Sequence, residues 1–156
     1  MTGQTVAAFD AVGFVAGMKA LLACDCRVCV RHGETHAQVP RMMLGSTVYI
    51  DVEMAPLIDA LRSAGVTTVG SCIDLADAVT KLWPEHLPTL LAFDGPGVHY
   101  GRIVAERLTF VRMLKGPNAE PFLGAVEEAG GSVARGRFLV QAAFPRDVLP
   151  GLAAVA

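Results

Sequence analysis

Apolar residues recur at helical spacing in some stretches of this chain and alternate or run together in others, and the changes of period divide it into elements. Over residues 4–23, Phe9, Val12, Val15, Met18 and Leu22 fall three and four residues apart. That spacing predicts a helix, weakened or opened to close approach at Gly13 and Gly17. From Cys24 to Gly45 the periodicity vanishes, and two glycines, two histidines and Pro40 mark a loop whose order has to come from something other than a core. The run from Ser46 to Val52 has strand composition, with Val48, Ile50 and Val52 on one face. A helix follows, with Asp51 and Glu53 as acceptors near its start, Pro56 tolerated in its first turn, Met54, Leu57, Ile58 and Leu61 as its apolar stripe, and Gly65 at its end. Val66 to Ile73 then reads as a second strand that completes a β-α-β unit.

Beyond it, Leu75–Leu82 predicts a short helix stopped by Pro84, and Thr89–Phe93 a compact third strand. Residues 99–115 fit a helix, although Leu108–Leu114 reads equally well as extended. Asn118 caps a helix over 119–129 in which Phe122, Ala125, Val126 and Ala129 share a face and which ends at Gly130-Gly131, Arg137–Phe144 is a last strand, and a closing helical turn runs from Arg146 to Val155. The order of elements over 46–144 matches a ferredoxin-like split β-α-β plait, an α/β (α+β) fold, with a small doubly wound sheet as the alternative. The expected organisation is a single domain over 1–156. It comprises an N-terminal helix and a Cys/His-rich loop (1–45), the β-α-β-β-α-β core (46–144) and a C-terminal turn (145–156).

A chain of 156 residues can bury a sizeable core, and its 53% hydrophobic and 18% charged residues argue against disorder. Net charge is -2, so the basic footprint of a nucleic-acid binder is missing, apart from Arg27, Arg31 and Arg41 near the cysteines. The apolar stretch from Val6 to Cys24 carries Asp10 and Lys19 and has no basic leader, which fits neither a signal peptide nor a membrane span. The expectation is a cytoplasmic protein without a membrane partner.

Three of the four cysteines, Cys24, Cys26 and Cys29, fall within six residues, and His32 and His36 follow. In a reducing compartment this density points to metal ligation rather than disulfides. Cys26-x2-Cys29 and Cys29-x2-His32 have the spacing at which neighbouring ligands grip one tetrahedral zinc without straining the backbone. The expected shell is Cys26, Cys29 and His32 with one of Cys24, His36 or Cys72, and Arg27 and Arg31 favour the thiolate forms. Four protein ligands would make the zinc structural, whereas three and an open position would permit catalysis.

Thr68-x2-Ser71-Cys72 ends the second strand at a turn where a nucleophile can be presented, with His99 as the base that such a thiol would need; the plain reading is a buried cysteine. The G-x-G-x3-G run from Gly95 to Gly101 resembles a phosphate-binding turn only loosely, since Pro96 removes a donor and no Lys-Ser or Lys-Thr follows. Asp74 with Asp77 and Glu127 with Glu128 read as solvated surface charge.

The segment Ile50–Leu61, continuing through Gly65-Val66-Thr67-Thr68 to Ser71-Cys72, resembles uncharacterised small bacterial and phage proteins with an acidic-x-x-x-apolar-Pro-Leu, Gly-x-x-Thr, Ser-Cys pattern. The likeness covers about a quarter of the chain and departs at Ile73-Asp74, where those proteins carry a small polar pair. It implies a β-α-β unit with Cys72 at its tip and supplies no substrate. The sequence therefore leads to a zinc-stabilised binding or accessory protein whose partner is another protein or a second copy of the chain. The alternative is a metal- or thiol-dependent enzyme acting on a nucleotide or RNA base.

Overall fold

A computed structural model describes residues 36–156 apart from Leu44, Trp83, Phe93, Pro96 and Gly97, together with the backbone but not the side chains of Asp94, Gly95, Val98 and His99. The predicted N-terminal helix and most of the Cys/His loop lie outside the described residues. The described part opens with a hairpin of β1 (Gln38–Met43) and β2 (Ser46–Asp51), in register from Gln38 opposite Asp51 to Met43 opposite Ser46. Gly45, at φ 79°, supplies the left-handed residue of its tight turn. The stretch predicted as loop is thus a strand in its second half. Pro40 disguised it, and is tolerated because β1 pairs on one side only among the described residues.

A 3-10 turn (Val52–Met54) leads from β2 into α1 (Ala55–Ser63), whose Leu57, Ile58 and Leu61 are almost wholly buried. Gly65 ends it at φ 84°; its N–H donates to Arg62 O, and the Val66 N–H donates to Leu61 O at 2.9 Å. Then come β3 (Thr68–Cys72), α2 (Leu75–Leu82), α3 (Leu87–Ala92), the short strands β4 (Asp94–Gly95) and β5 (Val98–His99), and α4 (Tyr100–Ala105). The chain finishes with β6 (Thr109–Leu114), α5 (Glu120–Glu128), β7 (Ser132–Arg135), β8 (Leu139–Phe144) and α6 (Leu149–Val155).

Two expectations change here. The apolar run expected as a strand over Thr89–Phe93 is helical as far as Ala92: Pro88 sits in the first turn, and Leu87 and Leu90, three residues apart, pack together against the core. Residues 99–115 split into the helix α4 and the buried strand β6, the extended reading of Leu108–Leu114. The strand β7 is an addition, being four half-exposed residues with little pattern of their own.

The architecture is mixed α/β. Its main sheet runs β3-β6-β8-β7, and every ladder among the described residues is antiparallel. A doubly wound sheet needs parallel neighbours, which the described strands lack. The plait expected over 46–144 counted β2 and a strand over Thr89–Phe93 among its strands, and the main sheet contains neither. The reason lies in pairing: β2 bonds with β1 in a sheet of its own instead of joining β3.

Alternation along the strands gives the main sheet two packed faces. Val111, Met113, Val140, Ala142 and Phe144 meet Leu57, Ile58, Leu61, Phe122, Val126 and Leu152 of α1, α5 and α6. On the reverse, Cys72, Phe110 and Ala143 meet Ala76 and Val79 of α2 and Ile103 and Val104 of α4. No helix among the described residues is long and apolar enough to cross a membrane.

Candidate metal centre

Strand ends converge on one place. Asp51 is the last residue of β2 and Cys72 the last of β3, and the hairpin register carries His36, two residues ahead of β1, to the same end. A hydrogen bond from Val52 N to Ala37 O, at 2.8 Å, extends the hairpin to hold His36 there. The Asp51 carboxylate joins the two sheets: its Oδ2 accepts from Ile73 N at 2.9 Å and its Oδ1 from Gln38 Nε2 at 3.3 Å. The Thr109 hydroxyl secures the other side by donating to Ile73 O at 2.9 Å.

The result is a group of one ligand atom each from His36, Asp51 and Cys72, all within 4.8 Å of one another. Imidazole, carboxylate and thiolate are the donor types zinc takes, and this group could hold a metal ion. Asp51 is only 3% exposed, and Cys72 1%. A buried carboxylate calls for a positive partner. Among the described residues no Lys or Arg lies within ion-pair distance of Asp51; the facing group is His36, with Nδ1 at 3.6 Å from Oδ2. The other ring nitrogen of His36 lies 3.4 Å from Asp77 Oδ2.

A cavity of about 470 Å³ begins at His36 and Asp51 and continues past Glu53, Asp74 and Asp77 to Arg107 and Arg146. Most of these charges are matched. Arg107 reaches Asp74 at 2.8 Å, Lys81 reaches Asp77 at 2.9 Å, and Arg146 grips Glu53 through two nitrogens. The hydrogen bond from Lys81 holds the Asp77 carboxyl below its ordinary range against an opposing push from burial, with smaller help from the charge of Lys81 and from His36. Hydrogen bonds to Asp74 and to Glu53 keep Arg107 and Arg146 more firmly protonated than usual. Asp74 also caps α2, its Oδ1 accepting from Asp77 N at 2.9 Å, so this pair is part of the site's frame as well as surface charge. Arg107 stands at the left-handed position after α4, φ 52°, where glycine is usual, and from there its side chain lines the cavity and reaches Asp74.

Of the residues the sequence singled out, His36 and Cys72 are brought together. Cys24, Cys26, Cys29 and His32 lie outside the described residues, as does the side chain of His99, whose backbone pairs with Asp94. Asp51 is the ligand candidate that the sequence reading passed over, taking it for a helix-start acceptor. Its signal was position, for it ends a strand just as Cys72 does.

Away from the cavity, Arg41 clamps Asp59 of α1 with two hydrogen bonds of 2.9 Å, tying the hairpin to the helix. That bonding holds the Asp59 carboxyl below its ordinary range, burial opposing. A carboxyl with a lowered folded-state pKa adds stability above its unfolded value, and that stability is lost as pH falls through the folded one. Asp59→Asn is therefore expected to be slightly less stable than the wild type at neutral pH, with the two converging below about pH 4. Denaturation midpoints across pH check this, and a gap that does not change with pH contradicts it.

Compared with protein-family models, curated proteins and solved structures, the chain matches none.

Proposed function

We propose that the protein is a small zinc-stabilised binding protein, in which His36, Asp51 and Cys72 hold the ion with a fourth ligand from among Cys24, Cys26, Cys29 and His32. The observation that carries this reading is the meeting of three different zinc donors from three chain segments within 4.8 Å. The ion supplies the positive partner that buried Asp51 calls for. A fourth ligand from the Cys/His segment would complete the tetrahedral shell. Partner binding is supported by the apolar composition and by the hairpin, where Met42 is 67% and Tyr49 66% exposed. The partner is another protein or a second copy of the chain.

A second reading, an enzyme acting on a nucleotide or RNA base, is favoured by the cavity that opens onto His36 and Asp51. It would require an open coordination position on the metal side facing that cavity.

Zinc linkage tests the first reading. At free zinc about 1,000 times Kd the native state gains about 4 kcal/mol, which for a chain of this size raises Tm by roughly 8–16 °C. The gain is expected to shrink as pH falls, because thiol and imidazole must shed protons to bind. A Tm that ignores both zinc and chelator contradicts the reading. A metal that chelators remove without loss of stability favours the enzyme.

A further inference from the structure

The main sheet buries a second charged group, remote in character from the metal centre. Arg112 of β6 is only 3% exposed, and none of its bonds among the described residues is to a carboxylate. Its Nε and Nη2 both donate to Gln141 Oε1, at 3.1 and 2.8 Å, and Nη2 donates to the Tyr100 hydroxyl at 2.7 Å. The Tyr100 and Phe110 rings lie 5.0 and 5.4 Å from the guanidinium carbon. Neutral oxygens and ring faces solvate the cation but leave its charge uncancelled.

That charge stands behind a cavity. Arg112 is opposite Gln141 in the β6–β8 ladder, and Gln141 lines a space of about 490 Å³ bounded by β7, β8, α3 and α4. By taking both Arg112 bonds on Oε1, Gln141 turns its NH2 group away from the guanidinium. Ser132 and Arg102, whose Nε is paired with Glu106 at 3.1 Å and whose other nitrogens remain as donors, add to the wall, Leu91, Ile103 and Ala143 add apolar surface, and no carboxylate lines the cavity among the described residues. The cavity beside the metal centre has four. The volume lies in the range of about 300–1,000 Å³ usual for small-molecule sites.

We propose that this cavity binds the oxyanion group, carboxylate or phosphate, of a small ligand. The Gln141 amide, the Ser132 hydroxyl and Arg102 donate to the oxyanion, and buried Arg112 orients Gln141 and supplies a fixed positive field. The ligand's remaining atoms rest on the Leu91 and Ile103 side. Nothing in this depends on zinc.

The test is a titration of nitrogen-15-labelled full-length protein with inorganic phosphate and, separately, with malonate at constant ionic strength, following the Gln141 side-chain amide and Arg112 Nε–H by NMR. Saturable shifts at both groups with either anion are expected; saturation by phosphate alone or by malonate alone identifies the chemical source. In Arg112→Gln the response should weaken about tenfold or more, the loss of one charge-assisted interaction. Shifts that never saturate, or that appear equally on exposed Arg135 and Arg137, would overturn the proposal. So would an Arg112→Gln protein that folds and binds as the wild type does. The wild-type titration decides alone if that variant fails to fold.

Discussion

Cys72→Ser is expected to release zinc, weakening its binding by more than about 100-fold, beyond the 10–100-fold typical of groups that only support a ligand. Serine nearly preserves size, but its hydroxyl does not ionise near neutral pH and is a poor zinc donor. The effect should be large because Cys72 is fixed. It is 1% exposed, it ends β3 opposite Phe110, and the next residue is held on both sides by Asp51 and Thr109. Competition against a chromogenic chelator gives the affinity, and thermal unfolding with and without chelator gives the consequence. Wild type and variant should differ strongly in zinc and only modestly in chelator, where the metal no longer contributes. Equal zinc affinity would remove Cys72 from the centre.

Phe144→Ala should cost about 3–5 kcal/mol, the range for deleting a buried aromatic ring. Phe144 ends β8 with no exposed surface, and its ring meets Phe122 of α5 edge-on, centroids 6.5 Å apart and planes at 86°. Removing it takes the centre from the contact between the sheet and the layer of α1, α5 and α6. Urea unfolding measures the loss. A change below about 1 kcal/mol would mean that this layer does not pack as described.

Those two residues were legible in the sequence to different degrees, for physical reasons. Strongly periodic elements were read well: Leu57, Ile58 and Leu61 marked α1, and Phe122, Ala125 and Val126 marked α5, because a helix buries one stripe. Short apolar runs were harder. Thr89–Phe93 suits a strand by composition, yet Leu87 and Leu90 face the same core from one turn of α3. The sheet order was beyond local pattern, since β2 has the alternation of a strand whether it pairs with β3 or, as it does, with β1. Cysteine and histidine drew attention to Cys72 and His36 by their chemistry alone. Asp51 escaped because an acid before a helix is commonplace, and only the hydrogen bond from Ile73 N and its burial set it apart. Arg112 escaped likewise; in sequence it is one arginine beside Arg102 and Arg107, and only the register with Gln141 buries it.

Zinc K-edge absorption fine structure on the purified, zinc-loaded protein decides whether His36, Asp51 and Cys72 hold the ion together, because it reads ligand types rather than occupancy alone. A mixed shell is expected, with sulfur at about 2.3 Å and nitrogen or oxygen at about 2.0–2.2 Å, the light-atom part diminished in His36→Ala and Asp51→Ala. A shell of four sulfurs would place the ion on the cysteines alone and exclude His36 and Asp51. A protein that takes up no zinc would contradict the metal centre outright.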